Sequence, residues 1–460
     1  MDQTLNILIT FISIVLLLAV VIGIHELGHF LAARKFGVHV IRFKIGFGKT
    51  LMSKFDKRGT EFSLGLLPLG GYVQMLGEDN PLQGEEEKEG SSSKLTSYPE
   101  VSLGARAIIT AAGPVANFLL AIFAYFLIFI IGTKDLAPVV GYVYENSLAE
   151  EVGLEVGDRI LSIDEKEISK LSDLNEVLAS RVGETGTLNV QYLKEERTQE
   201  LSGSVFIEDW LGSDLNQSII RSFGISPFSI VEIFEVIPES SAEKSGLLKG
   251  DKILGVGGNS IKSIVPFQEV ISSMPETNTL LEVRRKDQVY IMPIFIDSFK
   301  NSFGVKTGLI GVKIIPSYDE KPQLIVSIKE GPFKAFYMAV EKTYKTSILI
   351  LDFIGKMISG SVSSENIGGP IQIAQVAGSS AKAGLIPFIS VIALISINLG
   401  ILNLLPIPIL DGGQLVLIAA EKLKGSPLSE VFIEYAHRIG LFFVVSLMIF
   451  AVFNDFVRLI

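Results

Sequence analysis

The chain has 460 residues, 48% of them hydrophobic, with 50 acidic against 40 basic side chains, a net charge of −10 and a mean hydropathy of +0.45. Such a chain exceeds one domain, is too apolar for an ordinary soluble protein, and lacks the basic footprint of a nucleic-acid binder. It contains no cysteine, which excludes disulfides and thiolate-bound metal.

Leu5 to Ile24 carries no charge and has the length, about 20 residues, that crosses a hydrocarbon core. Residues 1–33 are therefore expected to form a first transmembrane helix. At its inner end stands His25-Glu26-Leu27-Gly28-His29, an HExxH pattern. Residues i and i+4 share a helix face, so both imidazoles can grip one zinc ion with Glu26 beside them. An ionisable side chain near the bilayer centre costs roughly 2.5–3.5 kcal/mol on insertion scales, so polar groups retained there usually have a task. The plainer alternative is a set of polar residues at a helix end. Because this apolar run contains the motif, no cleavable leader is expected.

The next segment, 34–102, carries Arg34, Lys35, Arg42, Lys44, Lys49, Lys54, Lys57 and Arg58, and the positive-inside rule puts it in the cytoplasm. Two stretches in it, Ile41 to Gly48 and Glu61 to Gln74, are short, apolar, glycine-rich and strand-compatible. Asp79 to Lys94, with three consecutive glutamates and three serines, reads as a solvated stretch. Further spans are expected within 103–133, 383–418 and 430–458. The last two are joined through Lys422, Lys424 and Arg438, again a cytoplasmic signature, which leaves both termini and the region from 133 to 382 outside. Within that region, 331–366 mixes aromatic and aliphatic residues with charges, as an amphipathic helix on the membrane surface or against the spans would. Gly368-Gly369-Pro370 breaks the chain before the third span and is a candidate hinge.

The external region repeats itself. Ser147-Leu148-Ala149-Glu150-Glu151-Val152-Gly153-Leu154-Glu155-Val156-Gly157-Asp158 aligns without a gap to Ser240-Ser241-Ala242-Glu243-Lys244-Ser245-Gly246-Leu247-Leu248-Lys249-Gly250-Asp251. A short helix closed by Gly-Leu, a Gly-Asp turn and a strand fit each copy. The pattern resembles PDZ domains of bacterial proteases, which implies two PDZ-like modules, 137–226 and 227–316, that bind exposed peptide ends by adding them to a sheet edge. Ser222-Phe223-Gly224-Ile225 and Leu309-Ile310-Gly311-Val312 are candidate ligand loops, and folded spacers without a ligand are the alternative.

A catalytic zinc usually takes three protein ligands and keeps one position open. His39 lies in the basic loop and His437 begins the last span, both more readily interfacial side chains than ligands. Asp411 is the better candidate: it follows Asn403-Leu404-Leu405-Pro406-Ile407-Pro408-Ile409-Leu410, whose two prolines break the helix and leave backbone groups that lipid cannot satisfy.

His25 to His29, Gly113-Pro114-Val115-Ala116-Asn117 and Asn403 to Gly412 together resemble the three membrane motifs of the site-2 protease family of intramembrane zinc metalloproteases, along the whole chain. The resemblance implies one zinc ion held by His25, His29 and Asp411, Glu26 as general base, and Asn403 touching the substrate backbone. It also implies a β-sheet on the membrane beside the site, which makes Gly46, Gly48, Gly70, Gly71, Tyr72, Pro406 and Pro408 candidate substrate contacts; a hairpin that merely fills the gap between helices is the alternative. The fold class expected is a polytopic α-helical membrane protein with four transmembrane helices, a cytoplasmic β-hairpin and two inserted β-rich PDZ-like domains, in a bacterial inner membrane with the modules periplasmic. Implied partners are single-span membrane proteins already trimmed by an upstream site-1-type protease, an anti-sigma factor of an envelope stress response or remnant signal peptides among them. A protease cutting juxtamembrane soluble segments and a non-enzymatic PDZ scaffold are the competing readings.

Overall fold

The computed structural model describes residues 3–77, 95–194, 200–212, 218–300, 305–318 and 322–459, so the acidic stretch from Asp79 to Lys94 lies outside the described residues. The chain divides into two compact units, Met1–Thr133 with Lys329–Gly355 and Ser364–Ile460, and Lys134–Ile328 with Lys356–Ser363.

The first unit opens with helix α1 (Gln3–Lys35), followed by the antiparallel strands β1 (Val40–Phe55) and β2 (Glu61–Met75) and helix α2 (Leu103–Ile131). Arg34 and Lys35 end α1, where cations favour the helix dipole, and the Ser102 hydroxyl caps α2 by accepting from the Ala105 amide at 3.2 Å. The hairpin docks through Phe43, Val73 and Met75 onto Phe30 and Ala33 of α1 and Ile109 of α2. Phe30, Phe43 and Phe62 meet there with ring centroids 5.3 to 5.5 Å apart. That packing holds one end of the β-ribbon rigidly beside the HExxH turn.

The second unit contains, after β3 (Thr133–Leu136), two β-rich modules. The first has β4 (Val140–Val143), α3 (Leu148–Val152), β5 (Arg159–Ile163), β6 (Lys166–Glu167), α4 (Leu171–Ser180), β7 (Gly186–Leu193), β8 (Glu200–Ile207), α5 (Ile219–Phe223) and β9 (Ile225–Pro227). The second has β10 (Ile230–Val236), α6 (Ser241–Lys244), β11 (Lys252–Val256), β12 (Asn259–Ser260), α7 (Ile264–Ser273), β13 (Thr277–Arg285), β14 (Gln288–Lys300), β15 (Lys306–Leu309) and β16 (Val312–Ser317); β17 (Ile325–Ile328) then pairs with β3. The repeat recurs as structure. Ser147 and Ser240 each cap a short helix, while Glu150 and Glu243 reach back to the amides of Asn146 and Glu239, one residue before each cap, at 2.6 and 2.7 Å. Gly157 and Gly250 turn with φ of +101° and +87°, and the buried carboxylates of Asp158 and Asp251 accept from the Glu155 and Leu248 amides at 2.9 and 2.8 Å. In the second module Val231, Ile233, Ile253, Leu281, Val283 and Ile296 form a closed apolar core. The sheets differ: β4 pairs only with β9 apart from the β5–β8 sheet, whereas β10 joins β16 to the rest.

The chain returns through α8 (Pro332–Ser359), α9 (Pro370–Ala383), α10 (Leu385–Leu404), α11 (Asp411–Lys424) and α12 (Glu430–Leu459). Among the described residues four helices are long and apolar enough to cross a membrane, Leu5–Lys35, Leu103–Ile131, Leu385–Leu404 and Glu430–Val457. The segment 383–418 is not one helix. It stops at Leu404, because Pro406 and Pro408 cannot continue it, and a new helix begins at Asp411. In α8 one stripe of small residues, Ala335, Ala339, Thr343 and Thr346, is buried, and Ala339 shares a cluster with Ala121 and Ile128 of α2 and Ala393 and Ile397 of α10. Helix α9, absent from the sequence-based expectation, packs on α1, where a Cβ on Gly378 would lie 2.4 Å from the Thr10 hydroxyl. Gly369, the candidate hinge, sits against Ala451 and Asp455 of α12.

Candidate metal centre

His25 and His29 lie one turn apart on α1, both buried, with their rings edge to face at 4.8 Å between centroids. Their Nε2 atoms are 3.2 Å apart, and Asp411 brings Oδ2 to 3.2 Å from His25 Nε2 and Oδ1 to 3.5 Å from His29 Nε2. All three ligand atoms lie within 4.8 Å of one another. Three like-facing acceptors gathered in an apolar interior repel one another unless a cation or a proton sits among them.

Glycines make this convergence possible. A Cβ on Gly28 would stand 2.2 Å from the Ala112 carbonyl oxygen, so α1 and α2 touch backbone to backbone just beside His29. A Cβ on Gly113 would stand 2.2 Å from His29 Nε2 and 2.8 Å from His25 Cε1. The imidazoles occupy the volume that any other residue at 113 would fill. Asp411 occupies the first turn of α11, where the helix dipole favours an anion. It is aimed by a tight reversal: the Ile407 amide donates to the Leu405 carbonyl at 2.7 Å and the Leu410 amide to the Ile407 carbonyl at 3.0 Å. Ile409 is held there at φ of +97°, a conformation that costs a β-branched residue on the order of 1–3 kcal/mol. Gly412 and Gly413 let α11 pass under that loop, since a Cβ on either would lie 2.2 Å from the Leu404 or the Ile407 carbonyl oxygen.

The donor set fits zinc: two neutral imidazoles and one carboxylate suit a borderline cation, with room left for a fourth position. The hydrogen bond between His29 Nδ1 and the Ile109 carbonyl, 2.9 Å, supports the fit, because a carbonyl can only accept. Nδ1 therefore carries the proton and Nε2 presents a lone pair to the centre.

Glu26 follows His25 on the same turn, and its carboxylate accepts from the Val73 amide of β2. Gly71 lies close by, with its missing Cβ position 3.1 Å from Glu26 Cγ. Asn403, near the end of α10, brings Nδ2 to 3.3 Å from His25 Nε2. Gly71 and Asn403 thus stand at the centre, and Tyr72 is the next residue along β2, bonded to Arg42. The other candidates shape the elements. Gly46 and Gly48 turn β1 at φ of +90° and +80°, and Gly70 gives its side-chain space to the Phe47 ring. Pro406 ends α10, while Pro408 lies under Gly440 of α12. His437 pairs with Gln414 at 3.1 Å, away from the ligand group, and His39 is on the hairpin side of α1. Asn117 was not singled out from the residues alone, although it stands 3.2 Å from His25 Nδ1.

An HExxH pair within a membrane-length helix, met by an aspartate that opens the helix following a second such span, defines a membrane metallopeptidase. The chain belongs to peptidase family M50, whose profile matches residues 13–447. It is 39% identical over 454 residues to the regulator of sigma-E protease RseP of Escherichia coli, covering 97% of this chain and 98% of that one. It is 36% identical over 454 residues to the regulator of sigma E protease of Haemophilus influenzae, with 97% and 98% covered. A Pasteurella multocida protein whose description names a zinc metalloprotease is 36% identical over 454 residues, with 98% and 99% covered. Among solved structures, the PDZ domain of an SdrC-like protein of Listeria monocytogenes aligns with 20% of this chain and 92% of its own, at 22% identity and a TM-score of 0.18.

Proposed function

We propose that this chain is a zinc-dependent intramembrane endopeptidase, cutting within the transmembrane segment of single-span membrane proteins whose outer domains have already been removed. The observation that carries the reading is the meeting of His25 and His29 on the membrane-length helix α1 with Asp411 at the start of α11, with Glu26 on the same turn as the histidines. A bound zinc ion would supply Lewis acidity, polarising a carbonyl and lowering the pKa of water to about 7. Glu26, held by the Val73 amide beside the ligands, takes the proton from the attacking water and hands it to the leaving amine. Asn403 points its amide into the same space and donates to the carbonyl oxygen that gains charge.

A peptide bond in a helix is covered by its own hydrogen bonds, so the substrate must be extended before attack. The two-stranded hairpin offers a strand edge next to Glu26 at Gly71 and Tyr72, where an unwound segment finds replacement partners. Leu51, Met52, Phe55 and Leu66 expose apolar side chains on this hairpin, which suits contact with lipid. We assign the basic loop after α1 and the Lys422 and Lys424 turn to the cytoplasm, and both termini and the β-rich modules to the periplasm of a bacterial inner membrane. The modules are read as PDZ-like, acting either as a size filter that admits substrates whose outer domains are gone or as receptors for newly exposed chain ends. An anti-sigma factor of an envelope stress response is proposed as one substrate, in keeping with relatives named as regulators of sigma E.

The test is cleavage of a single-span substrate lacking its outer domain by wild type and Glu26→Gln, with the products mapped by mass spectrometry. A cut inside the apolar segment that disappears in Glu26→Gln and with a zinc chelator supports the proposal. A cut outside that segment replaces it with a juxtamembrane protease, and no dependence on Glu26 with a scaffold. Deleting 137–316 separates the roles of the modules: loss of a filter lets intact substrates be cut, whereas loss of a receptor slows cleavage of short ones.

A further inference from the structure

The motif Gly113-Pro114-Val115-Ala116-Asn117 takes no part in the scheme above, yet it lies against both histidines. In a helix the side chain of residue i shields the carbonyl of residue i−4, and at 113 that side chain is missing. This opens the Ile109 carbonyl to His29 Nδ1. One turn further along the same face, Asn117 is fully buried, with Nδ2 3.2 Å from His25 Nδ1 and an Oδ1 that has no hydrogen-bond partner. The backbone carbonyl of Asn117 accepts from the Ser396 hydroxyl of α10 at 2.9 Å, which fixes the position of the residue.

A neutral imidazole carries one proton. Since His25 Nε2 faces Asp411 and His29 Nε2, ligation requires that the proton sit on Nδ1 and that Nδ1 find an acceptor. Among the described residues the partner of His25 Nδ1 is the Asn117 amide. With Nδ2 facing the ring, His25 would be held in the tautomer that cannot bind metal. The two ends of an amide have nearly the same shape, and a half turn about its last torsion puts Oδ1 on the imidazole N–H. We infer that Asn117 is the positioning residue of His25: its Oδ1 accepts from Nδ1–H, sets the tautomer and leaves Nε2 free for the ion. Helix α2 thus serves each histidine separately, His29 through a backbone carbonyl and His25 through an amide side chain. This rests on the zinc site proposed above.

The test is the zinc affinity of the full chain in detergent, by competition with a chromophoric chelator, together with the visible spectrum of the cobalt-substituted protein. Asn117→Leu removes the acceptor at similar volume, and Asn117→Ala removes it without crowding. Each should weaken zinc binding by about 10–100-fold and alter the cobalt spectrum. Asn117→Asp keeps an oxygen against Nδ1–H and should hold zinc as the wild type does. Unchanged affinity in the Leu and Ala variants overturns the inference, as does an Asp variant as weak as they are. The control is wild type against His25→Ala: if zinc binding does not depend on His25, the metal site itself is wrong, and Asn117 is not the cause.

Discussion

The site has no room for a side chain at Gly113. At Gly113 a methyl group would stand 2.2 Å from His29 Nε2, and the nearby atoms belong to the ligands themselves, so the clash can be relieved only by moving them. Gly113→Ala is expected to fold, to bind zinc at least tenfold more weakly and to lose cleavage in proportion, as measured by metal content and product formation. Glu26→Gln should do the opposite, keeping the metal while lowering turnover by about 10²–10⁴-fold, the usual contribution of a general base. The difference between these variants was only partly legible in the sequence. His25, Glu26 and His29 announce themselves by helical spacing, and Asp411 by an acid placed just after two helix-breaking prolines. Gly113 and Asn117 announce nothing as residue types, because what makes them matter is a contact with side chains far away in the chain.

Two contacts between elements hold α9 and α11 where the site needs them. The Asp455 carboxylate near the end of α12 accepts from the amides of Gly369, Ile371 and Gln372 at 2.9, 2.8 and 3.3 Å, capping α9 from another helix, while the Asn454 amide donates to the Ser364 and Ile367 carbonyls. Asp455→Ala should destabilise the start of α9 by about 0.5–2 kcal/mol, seen as faster amide exchange at 369–372 than in wild type. On the other side of the unit, Arg106 of α2 pairs with Glu421 of α11 at 3.1 Å, both largely buried. Arg106→Ala is expected to cost about 1.5–3 kcal/mol in thermal unfolding, and the exchange Arg106→Glu with Glu421→Arg to recover part of it. None of this pairing could be read from periodicity. Helix α9 escaped notice because its glycine, serines and alanines carry little apolar signal; their small size is what lets α9 lie close on α1. The end of α10 was visible in Pro406 and Pro408, but the fresh start at Asp411 was not, since a helix beginning with Asp-Gly-Gly owes its form to the loop above it.

At the scale of the molecule, the repeat made the second unit legible as two copies of one plan, down to the capping serines and the buried Asp158 and Asp251. Strand partners were not legible, although the antiparallel pairs β7–β8 and β13–β14 correspond in the two modules. Because the second module has its own core, Gly311→Ala, which would drive a methyl group to 2.2 Å from the Ser240 side chain at φ of +79°, should lower the melting temperature of residues 134–328 expressed alone. The same change should leave zinc binding by the full chain untouched, since Ser240 and Gly311 belong to the second unit and the three ligands to the first.

The three residues proposed as ligands come from the two ends of the chain: His25 and His29 emerge early, and Asp411 only after nearly everything else has been made. A ribosome adding about 5–20 residues per second leaves the histidine pair waiting for tens of seconds without its carboxylate. During that interval the helix has only two of the three residues proposed to hold the ion. If these three residues hold the ion, the site is complete only once α10 and α11 have been made, so synthesis order alone delays activity until most of the chain exists.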